Sequence, residues 1–442
     1  RPAAAVLWAL LAVTTVVQTA RLGAFMTDPD SDWFVTTRQA FWSKHQCAVA
    51  YFYAADLHLQ GEADVYDGSH YPGLTRDAEV HPTVEHLAPE DPYQYPPQFL
   101  LLPRLALALS DDFSVIRPVW YALQAALFLL VAAALARWYG GRAGRMALWL
   151  VPLLWISVPA ALNFQYGQFH ASVIALAMAA FLAFESGRVR LGGALLAGSI
   201  LAKGFSGILV IPLLLQRRWR EAAWTGAWAV AWTAVAFAVL GPDPFTAFFR
   251  NHVGNLASGA SFAFEEAWPE LRAALLAGNV SPFAAVRKLA ELGVPGMSDG
   301  FARMVHGLFT VGCLVAAVAA ARAAGPRARA VTWLALLNLA AMTSPAAWGD
   351  YVPVGTLWLV TLLAAGEGRI APWALAVVGG FAALLPGVVP IGSFPGPAAS
   401  MAVSIAGTVL LIAANARILS RASVAPAGDR SVSRWGISPK PV

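Results

Sequence analysis

The sequence predicts an all-α, polytopic membrane protein, and three observations carry that expectation. Of the 442 residues, 58% are hydrophobic and only 12% charged, about half the charged share of a soluble domain. Apolar stretches of spanning length recur along the chain, with Arg residues gathered at their ends. Seventeen Trp and twenty-nine Pro lie among the Ala, Leu and Val runs, a mixture met in bundles with broken helices. A soluble protein with a very large core is the competing class, and the scarcity of charge argues against it. The formal net charge of +5 does not point to nucleic acid, because the arginines sit where they orient a chain in a bilayer. Cys47 and Cys313 are far apart, share no metal or redox spacing and read as packing residues.

Taken in order, the spanning stretches are residues 4–22, 114–136, 145–162, 168–185, 221–241, 301–321, 330–346, 351–366, 370–391 and 399–416. The first lacks a convincing small-residue cleavage site and reads as a transmembrane helix rather than a signal peptide. Charge bias then sets the topology. Arg137, Arg142 and Arg145 mark one loop, Arg188 and Arg190 a second, Arg217, Arg218 and Arg220 a third, and Arg322, Arg327 and Arg329 a fourth. Arg417, Arg421, Arg430, Arg434 and Lys440 mark the tail. All of these are expected on the cytoplasmic side.

For the loops at 188–190 and 217–220 to share a side, the run 191–215 must cross twice. It is therefore expected as two half-helices meeting at Lys203-Gly204 on the outer side. The run 97–109, opened by Pro96-Pro97, is expected as a re-entrant or interfacial helix. About a dozen crossings result, with both ends in the cytoplasm. Residues 1–420 form a single membrane domain with outer loops at 23–95 and 242–300, and 421–442 a basic, disordered cytoplasmic tail. Residues 163–170, Lys203 and 343–351 fall on the outer side as well.

The chemistry-bearing residues collect on that side. Asp28, Asp30 and Asp32 follow the first helix and read either as a general base or metal ligands or as a solvated acidic turn. Position favours Asp32, because Trp33-Phe34 can dock at headgroup level and hold it still. Asp56 lies on an expected amphipathic helix, where exposed charge is the simpler reading. His45, His58, His70, His81 and His86 show no metal-ligand spacing, and no metal is predicted. Tyr95, in the stiff aromatic run Pro92-Tyr93-Gln94-Tyr95-Pro96-Pro97, suits a pocket mouth or an interfacial belt.

The segment Asn163-Phe164-Gln165-Tyr166-Gly167-Gln168-Phe169-His170 joins two crossings. Its Tyr166, Gln168 and His170 suit sugar hydroxyls or a phosphate, and an ordinary connecting turn is the alternative. Lys203 within an apolar run is a functional candidate by default, able to neutralise an anionic lipid headgroup, with snorkelling to the interface as the plainer reading. Arg250-Asn251-His252 either joins the same phosphate site or is a surface loop. Trp348, Asp350 and Tyr351 either complete the pocket wall or, for Asp350, cap the next helix.

Together these residues resemble the GT-C membrane glycosyltransferases, and most closely the family 87 polyprenyl-phosphate-mannose-dependent mannosyltransferases. The resembling pieces occur in order. They are Tyr95-Pro96-Pro97-Gln98-Phe99, residues 163–168 with the pair Gly167-Gln168, Ala197-Gly198-Ser199-Ile200-Leu201-Ala202-Lys203-Gly204, residues 212–219, and Ser344-Pro345 followed by Trp348 and Tyr351. The resemblance implies a GT-C fold, an aspartate base in the first outer loop, inversion at the anomeric carbon and a lipid-phosphate leaving group. Carried onto this chain, Asp32 is the base with Asp30 as substitute, Lys203 contacts the phosphate, and Gln168 and Trp348 line the pocket. Three departures stand out: residues 33–50 separate Asp32 from the Tyr-rich helix, His170 stands in place of Asn, and Asp350 in place of His.

The resulting expectation is an integral plasma (inner) membrane enzyme that moves a sugar from a polyprenyl-phosphate donor to a glycolipid or cell-envelope glycan on the extracytoplasmic side. Mannose is the sugar the resemblance implies, with arabinose and other pentoses open. A flippase or transporter of lipid-linked sugars is the main rival, although no internal repeat is visible. A non-catalytic scaffold is the third option.

Overall fold

The computed structural model describes residues 2–28, 47–71, 92–258, 269, 272–364 and 396–424, and every regular element among them is helical. In chain order these include α1 (Pro2–Thr27), α2 (Cys47–Leu59), α3 (Leu101–Leu107), α4 (Phe113–Tyr139), α5 (Gly141–Ile156), α6 (Val158–Gln165) and α7 (His170–Glu185). Next come α8 (Val189–Ala202), α9 (Val210–Leu215) and α10 (Trp219–Leu240), then short turns up to Ser258. The chain continues with α11 (Arg272–Gly278), α12 (Pro282–Glu291), α13 (Asp299–Ala320), α14 (Pro326–Ala341), α15 (Val354–Leu363) and α16 (Pro397–Val424).

Local chemistry explains the boundaries. Asp112 caps α4 by accepting from the Ser114 amide at 2.8 Å, and Gly140, at φ +68°, closes the helix with a bond to the Ala136 carbonyl. Ser157 and Pro159 separate α5 from α6, which meet at 55°. Ser298 caps α13 by accepting from the Phe301 amide. The run 191–215 breaks as expected: α8 ends at Ala202, Lys203 is extended (φ −145°, ψ 115°), and a 3₁₀ turn over Gly204–Leu209 leads into α9.

Among the described residues, five helices (α1 from Trp8, α4, α10, α13 and α16) are long and apolar enough to cross a membrane, or six when the bent α5–α6 pair is counted as one span. The stretches expected at 168–185, 330–346 and 351–366 instead give helices of 16, 16 and 10 residues. A 16-residue helix is about 24 Å long against a hydrocarbon core of about 30 Å. Both 16-residue helices are jacketed by other helices, with Phe181, Trp333 and Leu336 fully buried, so protein rather than lipid covers their ends. The stretch 370–391 lies outside the described residues, as does most of the tail.

Helix α2 differs from the amphipathic helix expected over residues 51–58. Ala48, Tyr51, Phe52, Ala54, Ala55 and Leu57 are all buried, and Phe52 packs against Phe113 and Trp120. Its aromatic residues cover more than one face, so it sinks into the bundle and leaves Cys47, Tyr53, Asp56 and His58 half-exposed and Leu59 exposed. His58 of α2 bonds the Leu240 carbonyl at 2.8 Å and also contacts Arg104, tying α2 to α10 and α3.

The basic loops meet at one end of the bundle. Glu185, at the end of α7, accepts from Arg218 at 2.8 Å and from Arg329 at 2.6 Å. Gln216 donates to the Ala321 carbonyl at 3.1 Å, and Arg327 lies over the Tyr139 ring, 5.4 Å from its centroid. The Glu185 side chain is only 8% exposed, so the carboxylate is held by charge-assisted bonds rather than by water. Replacing it with the neutral amide, Glu185→Gln, is expected to cost about 1.5–3 kcal/mol, the range for hydrogen bonds to charged groups. The check is a lowered unfolding temperature in detergent, and an unchanged one would mean that packing alone gathers these loops.

Candidate active site

At the opposite end of α7, α8, α13 and α14, segments distant in sequence converge on one cavity of about 740 Å³. Its first wall is the turn between α6 and α7. Gly167 adopts φ +62°, and a Cβ there would lie 2.5 Å from the Cβ of Ala48, so only glycine lets α2 approach. The Gly167 carbonyl accepts from Trp120 Nε1 at 2.9 Å and Gln124 Nε2 at 3.3 Å, and the Ala48 amide donates to the Tyr166 carbonyl at 3.0 Å. Asn163 turns its Oδ1 onto the Ala171 amide at 3.1 Å, capping α7 just past His170.

This turn projects Gln168 into the cavity. The phenols of Tyr51 and Tyr95 meet at 2.5 Å and converge on Gln168 Oε1, at 3.0 and 2.5 Å. Gln168 Nε2 donates to Cys47 Sγ at 3.2 Å. Burial, and then the neighbouring Tyr95 phenol, raise the Tyr51 phenol well above its ordinary range, which keeps it a proton donor at neutral pH. Tyr66 supports the mouth from behind, donating to the Tyr95 carbonyl at 2.9 Å.

The second wall is the break at Lys203. The Lys203 ammonium lies 5.1 Å from the Tyr95 ring centroid and 5.3 Å from that of Tyr351, within cation–π range of both. Ser199, one turn back on α8, donates to the Val173 carbonyl of α7 at 2.9 Å and fixes the helix that carries the lysine. His170 stacks on Phe205 at 5.2 Å and approaches Tyr351 at 5.4 Å. Its buried Nε2 has no hydrogen-bond partner among the described residues.

The third wall is residues 344–351. Trp348 pairs with Asn279 in an isolated antiparallel bridge, framed by bonds from the Val280 amide to the Ala347 carbonyl (2.6 Å) and from the Gly349 amide to the Gly278 carbonyl (2.7 Å). Asp350 is buried and lines the cavity. The residue at the N-cap of α15 is Pro353, so Asp350 does not cap that helix. Among the described lining residues, Lys203 is the one Lys or Arg and Asp350 the one carboxylate.

The structure therefore brings together Tyr95, Tyr166, Gln168, His170, Lys203, Trp348, Asp350 and Tyr351 around one space. It does not bring Arg250 or His252 there. Arg250 is exposed on the π-helical turn Phe248–His252. His252 is buried against Tyr66, 4.7 Å away in a stacked pair. Burial pushes its imidazole down to about 4, so it is neutral at physiological pH and carries no charge for a phosphate. Asp30 and Asp32 lie outside the described residues. The segment leading to them ends at the cavity end of the bundle, where buried Arg117 of α4 lies over the Phe25 ring at 4.1 Å.

Among the lining residues not expected at the site, Cys47, expected as a packing residue, contacts Gln168, and Tyr51 lies on the helix expected to be amphipathic. Phe205 and His306 also line the cavity. His306 stands inside the apolar run 301–321, the same signal that singled out Lys203. Among the described residues no three His, Cys, Asp or Glu side chains come together as a metal site.

The model of glycosyltransferase family 87 matches residues 93–345, a segment that holds every cavity wall except α2 and residues 346–352. No curated protein matches the chain, and no solved structure does.

Gly167→Ala is expected to destabilise the protein by more than about 1 kcal/mol, because it combines a left-handed backbone with a collision against α2. The loss should appear both as a lower unfolding temperature and as faster proteolysis of the α2 segment. Wild-type stability in this variant would refute the close approach of Ala48.

Proposed function

The chain belongs to glycosyltransferase family 87, and on that premise we propose that this membrane glycosyltransferase takes its sugar from a polyprenyl-phosphate donor. The acceptor is a glycolipid or cell-envelope glycan, and mannose is the donor sugar by family precedent. The cavity faces the extracytoplasmic side of the plasma (inner) membrane, in a GT-C bundle of about a dozen crossings. The orientation is supported by the gathering of Arg218, Arg327 and Arg329 at the end of the bundle away from the cavity, where the positive-inside rule puts the cytoplasm.

One observation carries the chemistry: a single lysine among aromatic and carboxamide side chains in a cavity of small-ligand size. A lipid phosphate needs a cation where its charge develops, and Lys203 is the one Lys or Arg lining the described cavity. A sugar needs donors, acceptors and an aromatic face, and Gln168, His170, Asp350, Tyr95, Tyr166, Trp348 and Tyr351 provide them.

The reaction follows from these roles. An aspartate of the first outer loop, Asp32 with Asp30 as substitute, takes the proton from an acceptor hydroxyl. The freed oxygen attacks the anomeric carbon on the face opposite the phosphate. The bond from that carbon to the phosphate oxygen breaks, its electron pair leaves with the polyprenyl phosphate, and configuration inverts. Lys203 stabilises the departing charge, which grows as the bond lengthens and so favours the transition state over the ground state.

The test is incubation of the purified protein with a short-chain polyprenyl-phosphate mannose and an envelope lipid extract. Mannosyl transfer to a lipid or glycan is expected. Asp32→Asn should lower kcat by about 10²–10⁴-fold, the usual range for a general base. Lys203→Met should lower it by about 10²–10³-fold, as for loss of one charge-stabilising group. No transfer from any polyprenyl-phosphate sugar, together with measurable lipid translocation, would sink this reading in favour of a flippase.

A further inference from the structure

The wall that carries Trp348 and Asp350 is tethered from behind by a fully buried lysine. Lys288 of α12 is 0% exposed. Its Nζ donates to the Asn279 carbonyl and to the Ser404 hydroxyl of α16, each at 2.5 Å. No carboxylate pairs with it among the described residues, and burial pushes its ammonium down to about 7.

Asn279 is the hub that this lysine holds. Its side chain donates to the Pro345 carbonyl at 2.9 Å and accepts from the Ala347 amide at 3.1 Å. Ser281 donates to the same Pro345 carbonyl at 2.7 Å. Residues 345–349 thus hang on residues 278–281, and those in turn hang on Lys288. A buried amine is costly, and a methionine of similar length would fill the space without that desolvation cost. What the lysine adds is direction: two bonds that fix the turn relative to α16.

We propose that Lys288 is a positioning residue which, through Asn279, sets the pose of Trp348 and Asp350 in the cavity and couples that wall to the last helix. The role rests on the reading of residues 348–351 as a substrate wall. It adds a residue outside the cavity lining and a dependence of the site on α16.

The test uses the full purified chain with Lys288→Met and, separately, Ser404→Ala, which removes one bond and no charge and keeps the comparison if the first variant fails to fold. Hydrogen exchange is read at the amides of Val280, Ala347 and Gly349, with α7 as internal control. Exchange there should quicken by about tenfold in Lys288→Met and less in Ser404→Ala, with α7 unchanged, as for a local opening. Sugar transfer should lose about tenfold in kcat with KM for the lipid-phosphate sugar within about twofold, the pattern of misplaced groups rather than lost binding.

Unchanged exchange at those three amides overturns the tether whatever the activity. Faster exchange with full transfer overturns the positioning role and leaves a merely structural one. A wild-type chain that transfers no sugar overturns the functional reading instead, while the exchange comparison still decides the tether.

Discussion

Glu185 shares its carboxylate between Arg218 and Arg329, and the layout of the bundle follows from where that happens. Charged groups in a low-dielectric interior must be paired or must reach water. The chain meets this demand at one end of α7 and α14 by gathering Arg218, Arg327 and Arg329 there. Helix α7 then runs apolar and buried from Glu185 back to His170, with no polar group along it that demands water. Elsewhere polar side chains are buried together, as in the pair Asn338–Asn415, bonded at 3.0 Å with Thr356 as a third member. It forces Gly355, where a Cβ would lie 2.1 Å from Asn338 Oδ1.

The cavity is what remains when helices that end at the same level cannot close over one another. α6 stops at a left-handed glycine, α8 stops at an extended lysine, and α14 stops before a proline-containing turn. Each stop leaves backbone groups without helical partners, and side chains bond to the backbone beside it: Trp120 and Gln124 on Gly167, Asn163 on Ala171, Ser206 on Lys203, and Asn279 on Pro345 and Ala347. The groups that stabilise the stops also aim the side chains beside them. Gln168 follows Gly167, His170 precedes Ala171, and Trp348 follows Ala347. Stability and site geometry therefore rest on the same hydrogen bonds.

How much of this was legible follows from the physics of each signal. A lysine in an apolar run between two Arg-marked loops cannot be accommodated by one crossing, so the break at Lys203 was readable from charge alone. Gly167 between Tyr166 and Gln168 announced a turn, and Ser344-Pro345 announced another. The burial of α2 was not readable, because its apolar residues cover more than one face and carry no periodic direction. The shortness of α7, α14 and α15 was not readable either, since composition does not distinguish a lipid jacket from a protein one. Arg250 and His252 looked like a phosphate clamp by residue type. Only the packing of Tyr66 over the imidazole shows that His252 is a core group. The Lys288–Asn279 tether links residues 279, 288, 345 and 404, a constellation with no local spacing to betray it.

A cavity of about 740 Å³ lies within the ~300–1,000 Å³ range of small-molecule sites, and that size constrains how a lipid-linked sugar can be recognised. On the proposed reading it takes a phosphorylated sugar and part of an acceptor, and leaves the polyprenyl chain to the bilayer. Binding energy from that chain would be uniform across every sugar carried on the same lipid, so it would set donor class and residence but not sugar choice. The phosphate proposed to meet Lys203 would be common to the class as well. Discrimination between sugars falls to groups that meet ring hydroxyls, and a site built to bond a hydroxyl rejects the analogue that lacks it far more strongly than an apolar pocket can. Gln94 and Gln168 are the carboxamides and Asp350 the carboxylate lining the described cavity, and His170 brings a buried Nε2 without a hydrogen-bond partner among the described residues. On the proposed reading, sugar choice therefore falls to these ring-facing side chains, while Lys203 answers only the charge of the phosphate.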